Sequence, residues 1–265
     1  MSALTYAVLD SKTMLRRRLL HLRRYPSLTV MLVGLPITFL LLFVYVFGGT
    51  LGAGLGRLPG GRAEYINYVV PGIILMTVAG VAQGTAISVA IDMTEGIIAR
   101  FRTMAIYRPS VLAGHVLGSV IQTALTVAIV FGIARLIDFR PTASPVEWIA
   151  AIGVLGMFTI ALTWLTVALG LVSKSVETAS NTPMFLLILP FLGSGFVPTD
   201  SMPVGLRWFA DYQPFTPVTE TVRGLLMGTE IGTGALIAAA WCIAITVTSY
   251  LWARASFNSS ADVCG

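Results

Sequence analysis

The chain has 265 residues, of which 56% are hydrophobic and 11% are charged, against about 25% charged in an ordinary soluble domain. Its few charges are clustered, so a soluble globular fold would lack a wettable surface, and that class is excluded. The net charge of +5 does not argue for nucleic acid, because basic residues beside hydrophobic spans are what the positive-inside rule requires.

Residues 1–26 carry Lys12, Arg16, Arg17, Arg18, Arg23 and Arg24, with Leu15, Leu19 and Leu22 at helical spacing among them. This pattern predicts a basic amphipathic interface helix, with Pro26 as the elbow into the first span. A signal peptide also starts basic. The apolar run that follows is too long for one and lacks a small-x-small cleavage site, so the segment reads as an uncleaved anchor.

A membrane-crossing helix needs about 20 apolar residues. Six uncharged runs qualify and predict spans over 28–47, 66–91, 111–134, 148–173, 178–197 and 231–253. The strict alternation of a β-barrel is absent. The expected fold is thus all-α, a single transmembrane domain covering 1–265. With the N-terminus in the cytoplasm, the inner segments hold 11 basic residues and the outer ones hold 6. That bias puts both termini, and the connection after the second span, on the cytoplasmic side of the plasma membrane.

That connection, Asp92 to Ser110, is charged but not simply polar. Ile97, Ile98, Phe101, Met104 and Ala105 fall on one helical face, which predicts a short amphipathic helix over 94–108, capped by Thr94 and stopped by Pro109. Gly80/Gly84 and Gly114/Gly118 have small-xxx-small spacing, which ordinary tight packing explains. Gln83, Gln122, Thr123 and Ser194 are the mid-span polar residues. They either line a path or hydrogen-bond helix to helix. Residues 198–230 hold several prolines and the aromatic pair Trp208 and Phe209. They predict short helices dipping into the outer leaflet, with Glu220 and Arg223 paired at i, i+3.

Other chemistry is missing. Lys12 and Lys174 both follow serine, so no Gly-Lys pair of a phosphate-binding loop exists. His21 and His115 have no neighbours at metal-ligand spacing, and no metal is expected. A lipid-modifying membrane enzyme would need converging acid, base or nucleophile groups. Asp92, Glu95 and His115 are the cytoplasmic candidates, and they read as scattered. A membrane assembly factor is a third class, one that needs no substrate path.

Two stretches together resemble a known family. Glu95-Gly96-x-x-x-Arg100-Phe101-Arg102-Thr103-Met104-x-Ile106 is similar to the first cytoplasmic loop of ABC-2 type exporter permeases, above all those of the daunorubicin-resistance type. Gly195-Phe196-Val197-Pro198, Met202-Pro203, Leu206-Arg207-Trp208-Phe209 and Gln213-Pro214-x-Thr216-Pro217 resemble the segment such permeases carry after the fifth span. The resemblance implies a permease, not itself an enzyme, that works with a separate ABC ATPase holding ATP and Mg and with a second copy of itself or a homologous permease. It implies a coupling helix in which Phe101 and Met104 pack into the ATPase. Glu95, Gly96, Arg100 and Arg102 complete that contact. The candidate pathway or gate residues are Gln83, Gln122, Ser194, Phe196, Pro198, Trp208, Phe209, Glu220 and Arg223. The implied cargo is an amphipathic drug, antibiotic or lipid. A polysaccharide exporter of the same kind and a lipid-modifying enzyme are the alternatives, and no nucleic acid is involved.

Overall fold

The computed structural model describes residues 26–49, 61–94 and 108–262, and all its regular elements there are helical. The expected interface helix (1–26) and coupling helix (94–108) lie outside the described residues except at their edges. Helix α1 (Pro26–Leu41) runs on as wider π-helical turns (Leu42–Phe47). It is followed by α2 (Gly61–Thr94), α3 (Arg108–Leu136) and α4 (Pro145–Val172). Then come α5 (Val176–Asn181), a 3-10 turn (Thr182–Met184) and α6 (Phe185–Ile188). A second 3-10 turn (Thr199–Ser201), α7 (Val204–Tyr212), α8 (Phe215–Met227) and α9 (Gly234–Asp262) complete the described chain.

Helices α2, α3, α4 and α9 are each long and apolar enough to cross a bilayer, and α1 is apolar but shorter. Their surfaces explain why. Leu117, Ile121, Leu125 and Ile129 recur every fourth residue on α3 and are exposed, as are Ile149, Ile152 and Ile160 on α4. The polar groups Thr85, Ser119, Thr126, Thr163 and Thr166 are buried instead. A bundle apolar outside and polar within is one solvated by lipid.

The run expected to cross as one helix over 178–197 is broken. Pro183 and Pro190 each remove a helical N–H and crowd the preceding turn, so α6 ends at Ile188 and turns follow through Phe196. The two residues expected to bound a helix over 94–108 lie at the edges of described helices. Thr94 is the last described residue of α2, and its hydroxyl bonds back to Ala90 O at 3.0 Å. Pro109 is the second residue of α3, where a missing N–H costs nothing.

Local chemistry sets the other boundaries. Ser144 and Glu147 form a reciprocal capping box at the start of α4, with Ser144 N donating to Glu147 Oε2 at 2.6 Å and Pro145 in the first turn. Helix α8 ends at Gly228, whose φ of 64° suits glycine. Thr142, in the α3–α4 connection, donates its hydroxyl to Met227 O at 2.8 Å. Arg140 N donates to Asn67 Oδ1 at 3.3 Å. One end of the bundle thus gathers the start of α2, the α3–α4 connection and the end of α8. At the opposite end Val89, Leu112, Val116, Leu171 and Phe257 form a second apolar cluster.

Helix α2 lies inside all of this, buried along most of its length and packed against α1, α3, α4, α5 and α8. Its approach to α4 depends on Gly170, where an added Cβ would lie 2.7 Å from Ala86 O. Gly170→Ala must push the two helices apart and is expected to cost about 1–3 kcal/mol. Gly156, also on α4, has open space around it. Gly156→Ala is expected to leave the thermal midpoint of the detergent-solubilised protein unchanged or slightly raised. Equal losses from both substitutions would contradict this packing.

Candidate functional site

The break at Pro190 creates a tightly constrained point. The turn it starts folds back onto α2 where Gly72 follows Pro71. A Cβ on Gly72 would lie 2.3 Å from Gly195 O, and one on Gly195 would lie 2.7 Å from Pro190 O. The two backbones therefore touch with no side chain between them, an approach only glycine permits.

Backbone groups released by such a turn find no water in lipid and must be satisfied by protein. Leu189 O accepts from Gln213 Nε2 at 2.9 Å, and Ser194 N donates to Thr216 Oγ1 at 3.3 Å. Ser194 O takes two donors, Tyr68 Oη at 3.0 Å and Arg223 Nη2 at 2.5 Å. Arg223 Nε also donates to Tyr68 O at 3.2 Å, and its guanidinium carbon stands 3.8 Å from the centroid of the Tyr68 ring. The cation is thus held by carbonyl dipoles and a π face. The expected Glu220–Arg223 pair does not form among the described residues: Glu220 is exposed, while Arg223 turns toward α2. A carbonyl left free by the broken helix is the better partner for a guanidinium that lies between elements.

Aromatic rings close the turn from the other side. Phe191 and Phe196 stack with centroids 4.4 Å apart and planes 7° from parallel. Phe43 of the π-helical turns lies 4.6 Å from Phe196, and Phe39 of α1 meets Phe191 edge-on at 5.4 Å. One turn therefore ties together α1, α2 and α8.

The structure brings only some of the expected gate residues to this point. Ser194, Phe196 and Arg223 meet there, and Ser194 acts through its backbone, not as a mid-span side chain. Pro198 leads into the 3-10 turn, where its carbonyl accepts from Ser201 Oγ at 2.7 Å. Trp208 and Phe209 lie apart, lining an apolar cavity of about 420 Å³ together with Leu165, Leu186, Trp241 and Ile245. Gln83 donates to Ser180 O at 2.8 Å, fastening α2 to α5. Gln122 is buried on α3. Tyr68, Gly72, Gln213 and Thr216 were missing from the expected set. Gly-Ser-Gly three residues after Pro190 was the available signal, since it marks backbone that must pass close to something.

Two of the three acid–base candidates, Asp92 and His115, meet. Asp92 Oδ2 and His115 Nε2 lie 3.1 Å apart, each residue 8% exposed. Ser119, one turn further along α3, completes no catalytic triad. Its hydroxyl accepts from Thr85 at 2.9 Å and lies 3.3 Å from Thr163, while His115 Nδ1 has no hydrogen-bond partner. Glu95 and the other coupling candidates Gly96, Arg100, Phe101, Arg102 and Met104 lie outside the described residues.

An apolar exterior, hydroxyls turned inward and a broken helix sealed against its neighbour define a multi-pass membrane protein of the helical-bundle class. Residues 10–227 match the family model described as ABC-2 type transporter. The chain belongs to that family and is an ABC transporter permease. It is 30% identical over 224 residues to the daunorubicin resistance ABC transporter permease protein DrrB1 of Streptomyces coeruleorubidus, covering 84% of this chain and 77% of that one. It is 26% identical over 156 residues to the probable doxorubicin resistance ABC transporter permease protein DrrC of Mycobacterium tuberculosis, covering 56% of each chain.

If the Ser194 carbonyl is the shared anchor, Tyr68→Phe and Arg223→Lys must be coupled. Their combined effect on the unfolding free energy is expected to depart from the sum of the single effects by about 0.5–3 kcal/mol. Additive losses would mean that the two donors act separately.

Proposed function

We propose that this chain is the membrane half of an ATP-driven exporter that moves an amphipathic drug, antibiotic or lipid-like molecule outward across the plasma membrane. The observation that carries this reading is the relationship, across 84% of the chain, to a permease named for daunorubicin resistance. The energy comes from a separate ABC ATPase that binds ATP and Mg, in keeping with a sequence that has no Gly-Lys pair. A second copy, or a homologous permease, completes the pathway.

In this reading the chain crosses the bilayer six times. The crossings are α1, α2, α3, α4, the broken segment from α5 to Phe196, and α9. Basic residues concentrated in 1–26 and 100–108 favour a cytoplasmic N-terminus. The sealed turn and α7–α8 then face outward as the gate segment, and Asp92 and His115 lie toward the cytoplasm. Residues 95–107 seat in the ATPase, with Phe101 and Met104 as the apolar contacts and Glu95, Gly96, Arg100 and Arg102 around them.

The mechanism is alternating access. No covalent chemistry occurs on this chain, whose work is to offer cargo different affinities in two shapes. That difference is all that binding energy can bias. The aromatic cavity beside Trp208 and Phe209 suits apolar rings and tails better than a sugar chain.

Co-expression with the ATPase of the neighbouring open reading frame tests the assignment. The tagged permease is expected to capture that ATPase. Phe101→Ala with Met104→Ala is expected to cut capture at least tenfold, while Tyr68→Phe leaves it unchanged. A permease that never recovers an ATPase contradicts the proposal.

A further inference from the structure

We propose that the cleft between α4, α6, α7 and α9 is a binding site for one phospholipid with an amine headgroup, taken from the leaflet on the α7 side. This goes beyond the exporter reading and does not depend on it. The cleft arises from prolines at both ends of α7. Pro203 stands just before that helix and Pro214 just after it, and the residues ahead of them, Met202 and Gln213, are extended, with ψ of 151° and 152°. Helix α7 is thus a separate short rod, packed chiefly against the 3-10 turn before it and α8 after it. Between it and α4, α6 and α9 is left a cleft of about 420 Å³, a size typical of small-molecule sites.

The wall suits hydrocarbon. Leu165 of α4, Leu186 of α6, Phe209 of α7 and Ile245 of α9 line it, and Gln213 has its amide nitrogen turned to Leu189 O. Water there would find too few partners, and an empty cleft would forfeit dispersion contacts along its wall. Phe185 and Trp241 also line the cleft and are exposed on the bundle's apolar exterior, so it opens sideways toward lipid. An acyl chain is the filler that those surroundings supply.

The mouth selects the headgroup. Trp208 and Tyr212, one helical turn apart, are both well exposed, with ring centroids 5.3 Å apart. Asp211 stands beside Trp208 on the helix surface, at i, i+3. Its carboxylate is 3.7 Å from Arg207 Nε, while Arg207 Nη2 pairs closely with Asp200. Two carboxylates around one guanidinium leave this face with an excess of negative charge. An ammonium can pair with Asp211 and lie against the neighbouring ring faces. An anionic headgroup without an amine meets only repulsion from Asp211.

Photoactivatable lipids test this on the purified permease in nanodiscs. Phosphatidylethanolamine and phosphatidylglycerol probes, each with the reactive group in the acyl chain, are compared by peptide mass spectrometry. The ethanolamine probe is expected to label the cleft-lining segments about threefold more than the glycerol probe, the scale of an exposed ion pair with a cation–π contact. Asp211→Asn is expected to bring the two probes level while labelling persists. Ile245→Trp, which fills the cleft, is expected to cut labelling by both at least fivefold, and Leu165→Trp serves the same end if that variant does not fold. Excess daunorubicin is expected to leave the lipid label unchanged. Equal labelling of the native protein by the two probes overturns the proposal, as does labelling that a filled cleft leaves intact. Loss of the label to daunorubicin also overturns it, by giving the cleft to cargo instead of resident lipid.

Discussion

Where the backbones of Gly72 and Gly195 touch, a broken helix is sealed against a continuous one. Inside a bilayer the carbonyls and N–H groups of a turn have no water to bind, so a break is tolerated only where protein supplies the partners. Here the partners come from several directions: Tyr68 from α2, Arg223 and Thr216 from α8, and Gln213 from the junction before α8. Phe39, Phe43, Phe191 and Phe196 fill the apolar side of the same turn. Moving the turn means separating these contacts together, so the turn is held as one unit with α1, α2 and α8.

Helix α2 connects this turn to the opposite end of the molecule. It is buried for most of its length, and several of its polar side chains bond neighbouring segments. Tyr68 bonds the turn after the break, Gln83 bonds α5 ahead of it, Thr85 bonds Ser119, and Asp92 meets His115. A helix so held has little freedom to bend independently of α3 and α4.

Much of this was legible in the sequence, and the misses have physical causes. Long uncharged runs and clustered basic residues announce a helical membrane protein because lipid demands it. Span 178–197 misled because hydropathy is blind to where a proline stops a helix; Pro190 and the glycines after it carried that information. Glu220 and Arg223 have the spacing of an ion pair, but spacing on one helix does not show that a carbonyl from another segment will compete for the guanidinium. Asp92 and His115 are 23 residues apart. Only the antiparallel packing of the two helices that hold them brings them together. The amphipathic stretch around Phe101 was read from periodicity and resemblance alone, and its role is part of the proposed function.

The claim at the centre is that this polypeptide is a passive gate worked by a separate motor. The direct measurement is daunorubicin uptake into inside-out vesicles containing the purified permease, with and without the purified ATPase, in the presence of ATP and Mg. Uptake only when both chains are present is the predicted result. Uptake driven by the permease alone, or none with both chains and hydrolysable ATP, would contradict the account.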